Sequence, residues 1–306
     1  MPAISNRKAQ PMERRTFIQH SLFATGALFF LPAFTATQKA ELAIVRGGSA
    51  ANMLDLGLDA LGDLSRFVEP GQRILVKPTM RWNQAPESGQ NTNPELLERL
   101  VERCYEAGAR AVFLVDQTQD KWTKCYKNSG IERVVKDAGA KILPGDKEFL
   151  YHEIDIPNAQ VMKRPKVHQV MQEVDLIINV PAVQPQTPDG YFGAFHNLMG
   201  LVWQAENYQQ QDNQSMLDFL HYKRPVLTIM DAYRVVTSEG VKEYKTLVLS
   251  PDLVAAEAYA AKRLGTDLHT LPYLDLAEHA GFGRAELPAE LIRSIVLKNS
   301  GSKSNP

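Results

Sequence analysis

Four short, nearly unbroken apolar runs decide what this chain can become. They are Arg73-Ile74-Leu75-Val76-Lys77, Ala111-Val112-Phe113-Leu114-Val115, Leu176-Ile177-Ile178-Asn179-Val180 and Val226-Leu227-Thr228-Ile229-Met230. Runs of this length without polar alternation fit strands buried on both faces, as in a mostly parallel sheet with helices above and below. The segments between them supply the helices. Asn91-Thr92-Asn93-Pro94-Glu95 offers a capping Asn, a Pro in the first turn and an early acid. Leu96, Leu97, Leu100, Val101 and Cys104 then recur at helical spacing as far as Gly108. Ile131 to Ala138, stopped by Gly139, and Pro251 to Leu264, stopped by Gly265, read the same way. The alternation predicts an α/β fold, a mostly parallel sheet flanked by helices. Phe149 to Ile156, Thr246 to Leu249 and Ile292 to Leu297 are expected as additional edge strands, either antiparallel additions or a lobe at the edge.

A segment of another kind stands near the start. Glu13-Arg14-Arg15-Thr16-Phe17-Ile18-Gln19 precedes an apolar run from Leu22 to Phe34, and Arg7 and Lys8 add to the basic side. Paired arginines, a Phe and a second large apolar residue are the marks of a twin-arginine export signal. The run is interrupted by Gly26 and Pro32 and falls short of the ~20 residues of a spanning helix. Residues 1–40 are therefore read as the signal segment, 41–300 as one α/β domain and 301–306 as a polar tail. A periplasmic protein is expected. The nearest small-x-small triplet, Ala33-Phe34-Thr35, is a poor one, so a cleaved form and an uncleaved, membrane-tethered form both stay open. Membrane contact is expected only through that uncleaved segment.

Composition removes some function classes. A formal net charge of -1 leaves no electrostatic footprint for nucleic acid. Two cysteines, Cys104 and Cys125, cannot hold an iron–sulfur cluster, which takes four thiolates. No cofactor is otherwise assigned. An oxidising compartment permits a Cys104–Cys125 disulfide, but spacing does not indicate one. Cys104 reads most simply as a buried helix residue.

Ligands of open parallel sheets sit beyond the carboxyl ends of the strands. The four runs end at Lys77-Pro78-Thr79, with Arg81 and Trp82 beyond, at Asp116-Gln117-Thr118, at Asn179-Val180-Pro181 and at Asp231-Ala232-Tyr233-Arg234. We take Asp116, His196 and Asp231 as candidate catalytic residues, since a carboxylate or His196 can move a proton or ligate a metal. Lys77, Thr79, Arg81, Asn179 and Arg234 are candidate binding residues for a small anionic ligand. Each has an ordinary alternative. Lys77 can be a solvated strand end, the two Asp residues turn or cap residues, Arg234 the neutraliser of a neighbouring acid, and His196 a packing residue. Their convergence is the stronger signal, because charges after long apolar runs are costly to bury without purpose. Gly190 to Gly200 places glycines beside aromatics but matches neither the P-loop nor the dinucleotide fingerprint. His152 falls on a predicted strand, His168 on a predicted helix and His221 at a helix end, and no local His pair suggests a metal site.

Six motifs in order resemble one known family. They are Ile74-Leu75-Val76-Lys77-Pro78, Asn91-Thr92-Asn93-Pro94-Glu95, Glu106-Ala107-Gly108-Ala109, Ile178-Asn179-Val180-Pro181, Asn197-Leu198-Met199-Gly200 and Asp231-Ala232-Tyr233-Arg234. Together, from about Val45 to Phe282, they resemble the domain of unknown function 362 family. The resemblance implies twin-arginine export, a link to ferredoxin-like iron–sulfur modules or partners, and an undefined activity. A distant relation to the lactate-racemase type of nickel-cofactor enzyme is also suggested. The chain departs from the family at three places. Thr79 stands where relatives have Asn, His196 where they have Lys, and Ala182-Val183-Gln184-Pro185-Gln186-Thr187-Pro188 where they supply Lys and His. Two functions follow as expectations: a redox-associated or metal/cofactor-dependent enzyme with its ligand at the carboxyl edge, or a non-catalytic binding or accessory protein for an exported redox complex.

Overall fold

In the computed structural model, described over residues 39–187 and 190–297, the apolar runs pair side by side at the centre of one sheet. The export segment lies outside the described residues apart from Lys39 and Ala40, as does the tail 301–306. The strands are β1 (Leu42–Arg46), β2 (Arg73–Pro78), β3 (Ala111–Leu114), β4 (Lys141–Ile142), β5 (Tyr151–Glu153), β6 (Lys166–His168), β7 (Leu176–Val180), β8 (Gln184–Thr187), β9 (Gly190–Phe192), β10 (Leu227–Thr237), β11 (Gly240–Ser250) and β12 (Ile292–Val296). The helices are α1 (Ala50–Leu61), α2 (Pro94–Glu106), α3 (Trp122–Asn128), α4 (Ile131–Asp137), α5 (Val170–Glu173), α6 (Ala194–Met199), α7 (Asp212–Tyr222), α8 (Leu253–Arg263) and α9 (Pro272–His279).

Eight strands lie in the order β12-β1-β11-β10-β7-β2-β3-β4. All neighbouring pairs are parallel except those made by β11, which runs against both β1 and β10. The sheet is therefore mostly parallel, as its unbroken apolar strands require. Successive residues of β2 serve opposite faces. Ile74 and Val76 pack in a core with α1, α2 and α4, while Leu75 packs in a second core with α6, α7, α8 and α9.

The local signals act as read for α2. Asn93 accepts from Glu95 N at 3.0 Å, Pro94 opens the helix, and Leu96, Leu97, Leu100, Val101 and Cys104 are buried. On α8 the cap is Asp252, which accepts from Ala255 N at 3.0 Å.

Several expectations are corrected. The Thr246–Leu249 segment belongs to β11 in the interior of the sheet, and β12 is an edge strand but parallel to β1. β5 joins β6 in a separate two-stranded ribbon rather than the sheet edge, which puts His168 on a strand and not a helix. The fourth run extends far past Met230, since β10 continues to Thr237 to form a hairpin with β11. Cys104 and Cys125 are buried free thiols on α2 and α3. No helix among the described residues is long and apolar enough to cross a membrane.

Candidate functional site at the carboxyl edge of the sheet

The order of strands marks one place at this edge. From β2 the chain runs outward through β3 to β4, then returns to β7 on the other side of β2. Ligands of open sheets gather beyond the carboxyl ends at such a reversal. There Lys77 on β2 stands in register with Asn179 on β7.

What fills that place is a sealed polar network. Lys77 follows Leu75 onto the α6 side, and its Nζ lies 2.8 Å from Asp116 Oδ1. The same ammonium donates to Pro78 O at 2.8 Å and to Asn197 Oδ1 at 3.1 Å, which uses all three of its protons. Asn197 Nδ2 donates to Lys77 O at 2.9 Å and to Asn179 Oδ1 at 2.8 Å, and its Oδ1 also accepts from Thr79 Oγ1 at 2.9 Å. Asn179 Nδ2 donates onward to Ala194 O at 3.0 Å, and Thr79 Oγ1 accepts from Ala182 N at 3.0 Å. Exposure is 0% for Lys77, Thr79 and Asn179, and 2% for Asp116 and Asn197, so no solvent path reaches these groups. Burial lowers the Lys77 pKa, with Asp116 pulling the other way.

Asp116 is the hub that ties loops together. Its Oδ2 accepts from Met80 N at 2.9 Å, in the loop after β2. Buried Tyr126 clasps its backbone, taking Asp116 N at 2.9 Å and giving its hydroxyl to Asp116 O at 2.6 Å. Gln117 N donates to Gly200 O at 3.1 Å, which joins the end of α6. A Cβ on Gly200 would lie 2.2 Å from Asp116 Oδ1, so only glycine lets this turn close over the ion pair. Lys77, Thr79, Asp116 and Asn179 are thus brought together, but as a buried scaffold.

Arg81 has a different setting. It is half-buried at the lip beyond β2, its guanidinium carbon 5.3 Å from the Trp82 ring centroid and 5.9 Å from that of Phe192. Its Nε is buried without a hydrogen bond, and among the described residues no carboxylate pairs with it. Its own carbonyl accepts from Gln119 N at 2.9 Å, which fixes the lip to the loop after β3.

The remaining candidates are dispersed by their bonds. Asp231 sits inside β10, accepting from Asn93 N at 2.7 Å and Tyr233 N at 2.9 Å, so it anchors the start of α2. Burial outweighs those donors and pushes its pKa up to about 6. Arg234 lies on the β10–β11 hairpin with Glu243 at 3.0 Å. His196 faces away from Asn197 on α6, 5.9 Å from the Phe192 ring and 5.5 Å from the Tyr273 ring. Beside it stands Glu257, fully buried, accepting from Ala194 N at 2.6 Å and Tyr273 OH at 2.9 Å. Burial raises the Glu257 pKa, with the Ala194 N–H and His196 opposing.

Sequence reasoning missed Asn197, Tyr126 and Glu257. An Asn in an apolar turn and a lone acid on the alanine face of α8 were the available signals; Tyr126 had none. The altered run at 182–188 supplies β8, where Gln184 Nε2 donates to Gln90 O at 3.1 Å; Pro188 lies outside the described residues. A hollow of about 640 Å³ lies elsewhere, between Asp146, Phe149, Tyr151, His152, Lys166 and Trp203, and no candidate residue lines it. It is a shallow, open depression, and Lys166 is paired with Glu148 at 2.6 Å. No three His, Cys, Asp or Glu side chains able to hold a metal ion gather among the described residues.

The family model described as Domain of unknown function (DUF362) matches residues 74–262, more than half of the chain. The chain belongs to that family. This DUF362 chain is 24% identical over 281 residues to the thylakoid-associated protein sll1697 of Synechocystis sp., covering 82% of this chain and 83% of the relative. Among solved structures it is similar to the lactate racemase apoprotein from Thermoanaerobacterium thermosaccharolyticum, with a TM-score of 0.49 and 12% identity. That match covers 73% of this chain, which spans only 57% of the racemase's length.

Proposed function

We propose that this DUF362 protein is a binding protein for a small anion, held at the carboxyl edge of the sheet by Arg81. The observation that carries this reading is the guanidinium at the strand-order reversal, 5.3 Å from the Trp82 ring centroid, 5.9 Å from that of Phe192, and without a carboxylate partner among the described residues. A charged group half-withdrawn from water without a counter-charge is costly unless a partner of opposite sign visits it. Binding is favoured over bond-making because Lys77, Asp116 and Asp231 already spend their charges on internal contacts.

The test is to titrate the full-length protein with acetate, benzoate, sulfate and inorganic phosphate at constant ionic strength, by calorimetry and by NMR. At least one anion should bind saturably, and Arg81→Gln should weaken it by about tenfold or more, since a bidentate arginine contact carries at least that much. No saturable binding, or binding untouched in Arg81→Gln, ends the proposal.

We also infer export by the twin-arginine route, which the Arg14-Arg15 motif and the apolar run after it support. Cell fractionation of an Arg14→Lys/Arg15→Lys variant tests this. The variant should stay in the cytoplasm while the native chain leaves it, and equal export of both would sink the idea.

A further inference from the structure

We propose that the anion is a monocarboxylate carried on a flat, apolar body, such as an aromatic acid, and not a phosphate or sulfate; this rests on the anion-binding reading above. Charge is the first reason. Lys77 is matched by Asp116 at 2.8 Å and Arg234 by Glu243 at 3.0 Å, whereas Arg81 has no carboxylate partner among the described residues. One guanidinium balances a single negative charge, whereas a dianion would keep an excess charge beside two neutral rings.

The backbone is the second reason. Phosphate sites in α/β folds rely on backbone N–H groups turned toward the ligand. At this edge five of those groups are already spent. Thr79 N donates to Thr92 Oγ1 at 2.8 Å, Met80 N to Asp116 Oδ2 at 2.9 Å and Trp82 N to Asn91 Oδ1 at 3.1 Å. Gln117 N and Gln119 N donate to Gly200 O and Arg81 O. Even the start of α6 is occupied, since Ala194 N donates to Glu257 Oε2 at 2.6 Å. A tetrahedral dianion would find one charged side chain and a backbone already partly committed.

The third reason is shape. The guanidinium holds its carbon 5.3 Å from the Trp82 ring centroid and 5.9 Å from that of Phe192. Its fork suits the two coplanar oxygens of a carboxylate. Both rings are themselves half-buried, so each keeps apolar surface in contact with water. A flat apolar substituent beside the carboxylate would cover that surface.

The experiment uses the full-length protein with benzoate, acetate, sulfate, inorganic phosphate and neutral benzyl alcohol as probes. Benzoate should bind about tenfold or more tightly than acetate, phosphate or benzyl alcohol. Arg81→Lys, which keeps the charge and loses the fork, should weaken benzoate by about tenfold. Trp82→Leu should weaken benzoate and leave acetate unchanged. Far-UV circular dichroism and the melting temperature of each variant should match the native protein. Arg81-dependent binding of phosphate ahead of benzoate would overturn the carboxylate class while the anion site stands. Equal binding of acetate and benzoate would remove the apolar body from the proposal. Saturable binding of none of benzoate, acetate, phosphate and sulfate would overturn this inference and the reading beneath it together, whereas Arg81-dependent binding of acetate or sulfate without benzoate would overturn this inference alone.

Discussion

Two groups of charged and polar residues leave the same strand ends and meet opposite fates. Beneath the edge, Lys77, Thr79, Asp116, Asn179 and Asn197 bond one another and are closed to water. At the lip, Arg81 stands a few residues beyond Lys77 with aromatic rings for neighbours and, among the described residues, no carboxylate partner. The difference teaches that a charge at a strand end is informative about ligands only when its counter-charge is absent. A buried lysine beside an aspartate is a structural joint; an arginine stacked on rings is an open valence.

The largest effect that would sharpen this contrast is on the joint. Lys77→Met leaves Asp116 buried without its cation and should cost about 3–5 kcal/mol in urea unfolding. Lys77→Met/Asp116→Leu should recover part of that loss, because the uncompensated charge is gone while Met80 N still lacks its partner and Asn197 Oδ1 keeps only Thr79 Oγ1. If the single variant unfolds within ~1 kcal/mol of the native protein, the closed half of the comparison fails.

Asp231 comes next. Asp231→Asn keeps the shape but leaves one of two backbone N–H donors facing an amide, which should cost about 1–2 kcal/mol near neutral pH. The native carboxyl binds its proton more tightly folded, at about 6, than at its ordinary 3.8. Between those values the folded state holds more protons than the unfolded one, so this group's contribution to stability falls as pH rises through the window. Asp231→Asn should flatten that part of the profile. An identical slope in both proteins between pH 4 and 6 would show that Asp231 does not cause it.

Smaller effects belong at the surface. Arg81→Gln should shift stability by less than ~0.5 kcal/mol while weakening anion binding about tenfold or more. A loss of several kcal/mol would place Arg81 in the scaffold with Lys77 and collapse the comparison. Arg234→Ala, which removes an exposed pair with Glu243 at 3.0 Å, should cost ~0.2–1 kcal/mol and leave anion binding intact. Weakened binding in that variant would extend the lip onto the hairpin.

The parallel half of the sheet and α2 were legible because local chemistry and tertiary context agree there. Asn93, Pro94 and the apolar stripe to Cys104 specify the helix, and β2, β3 and β7 are apolar on both faces. β11 was not legible as an interior strand. Its first half, Gly240 to Tyr244, is exposed, and its buried half pairs with β1 some two hundred positions earlier in the chain. Periodicity has no access to such a pairing. The same limit governs the site. Strand ends named Lys77, Asp116 and Asn179, yet their meeting depends on Asn197, a residue whose four side-chain hydrogen bonds all go to groups 18 or more positions away in sequence. Asp231 was expected to leave a strand that in fact continues through it, because β10 gains its length from the hairpin with β11.

Asp116 has one further consequence, in kinetics. It holds the loop after β2 through Met80 N, while Gln117 N and Gln119 N lock the neighbouring turns to Gly200 and Arg81. These loops are ordered before any ligand arrives, so little conformational entropy remains to be lost on docking. Association should then follow a single phase whose rate rises linearly with ligand concentration, and variants of the lip should differ in how long the complex survives far more than in how fast it forms.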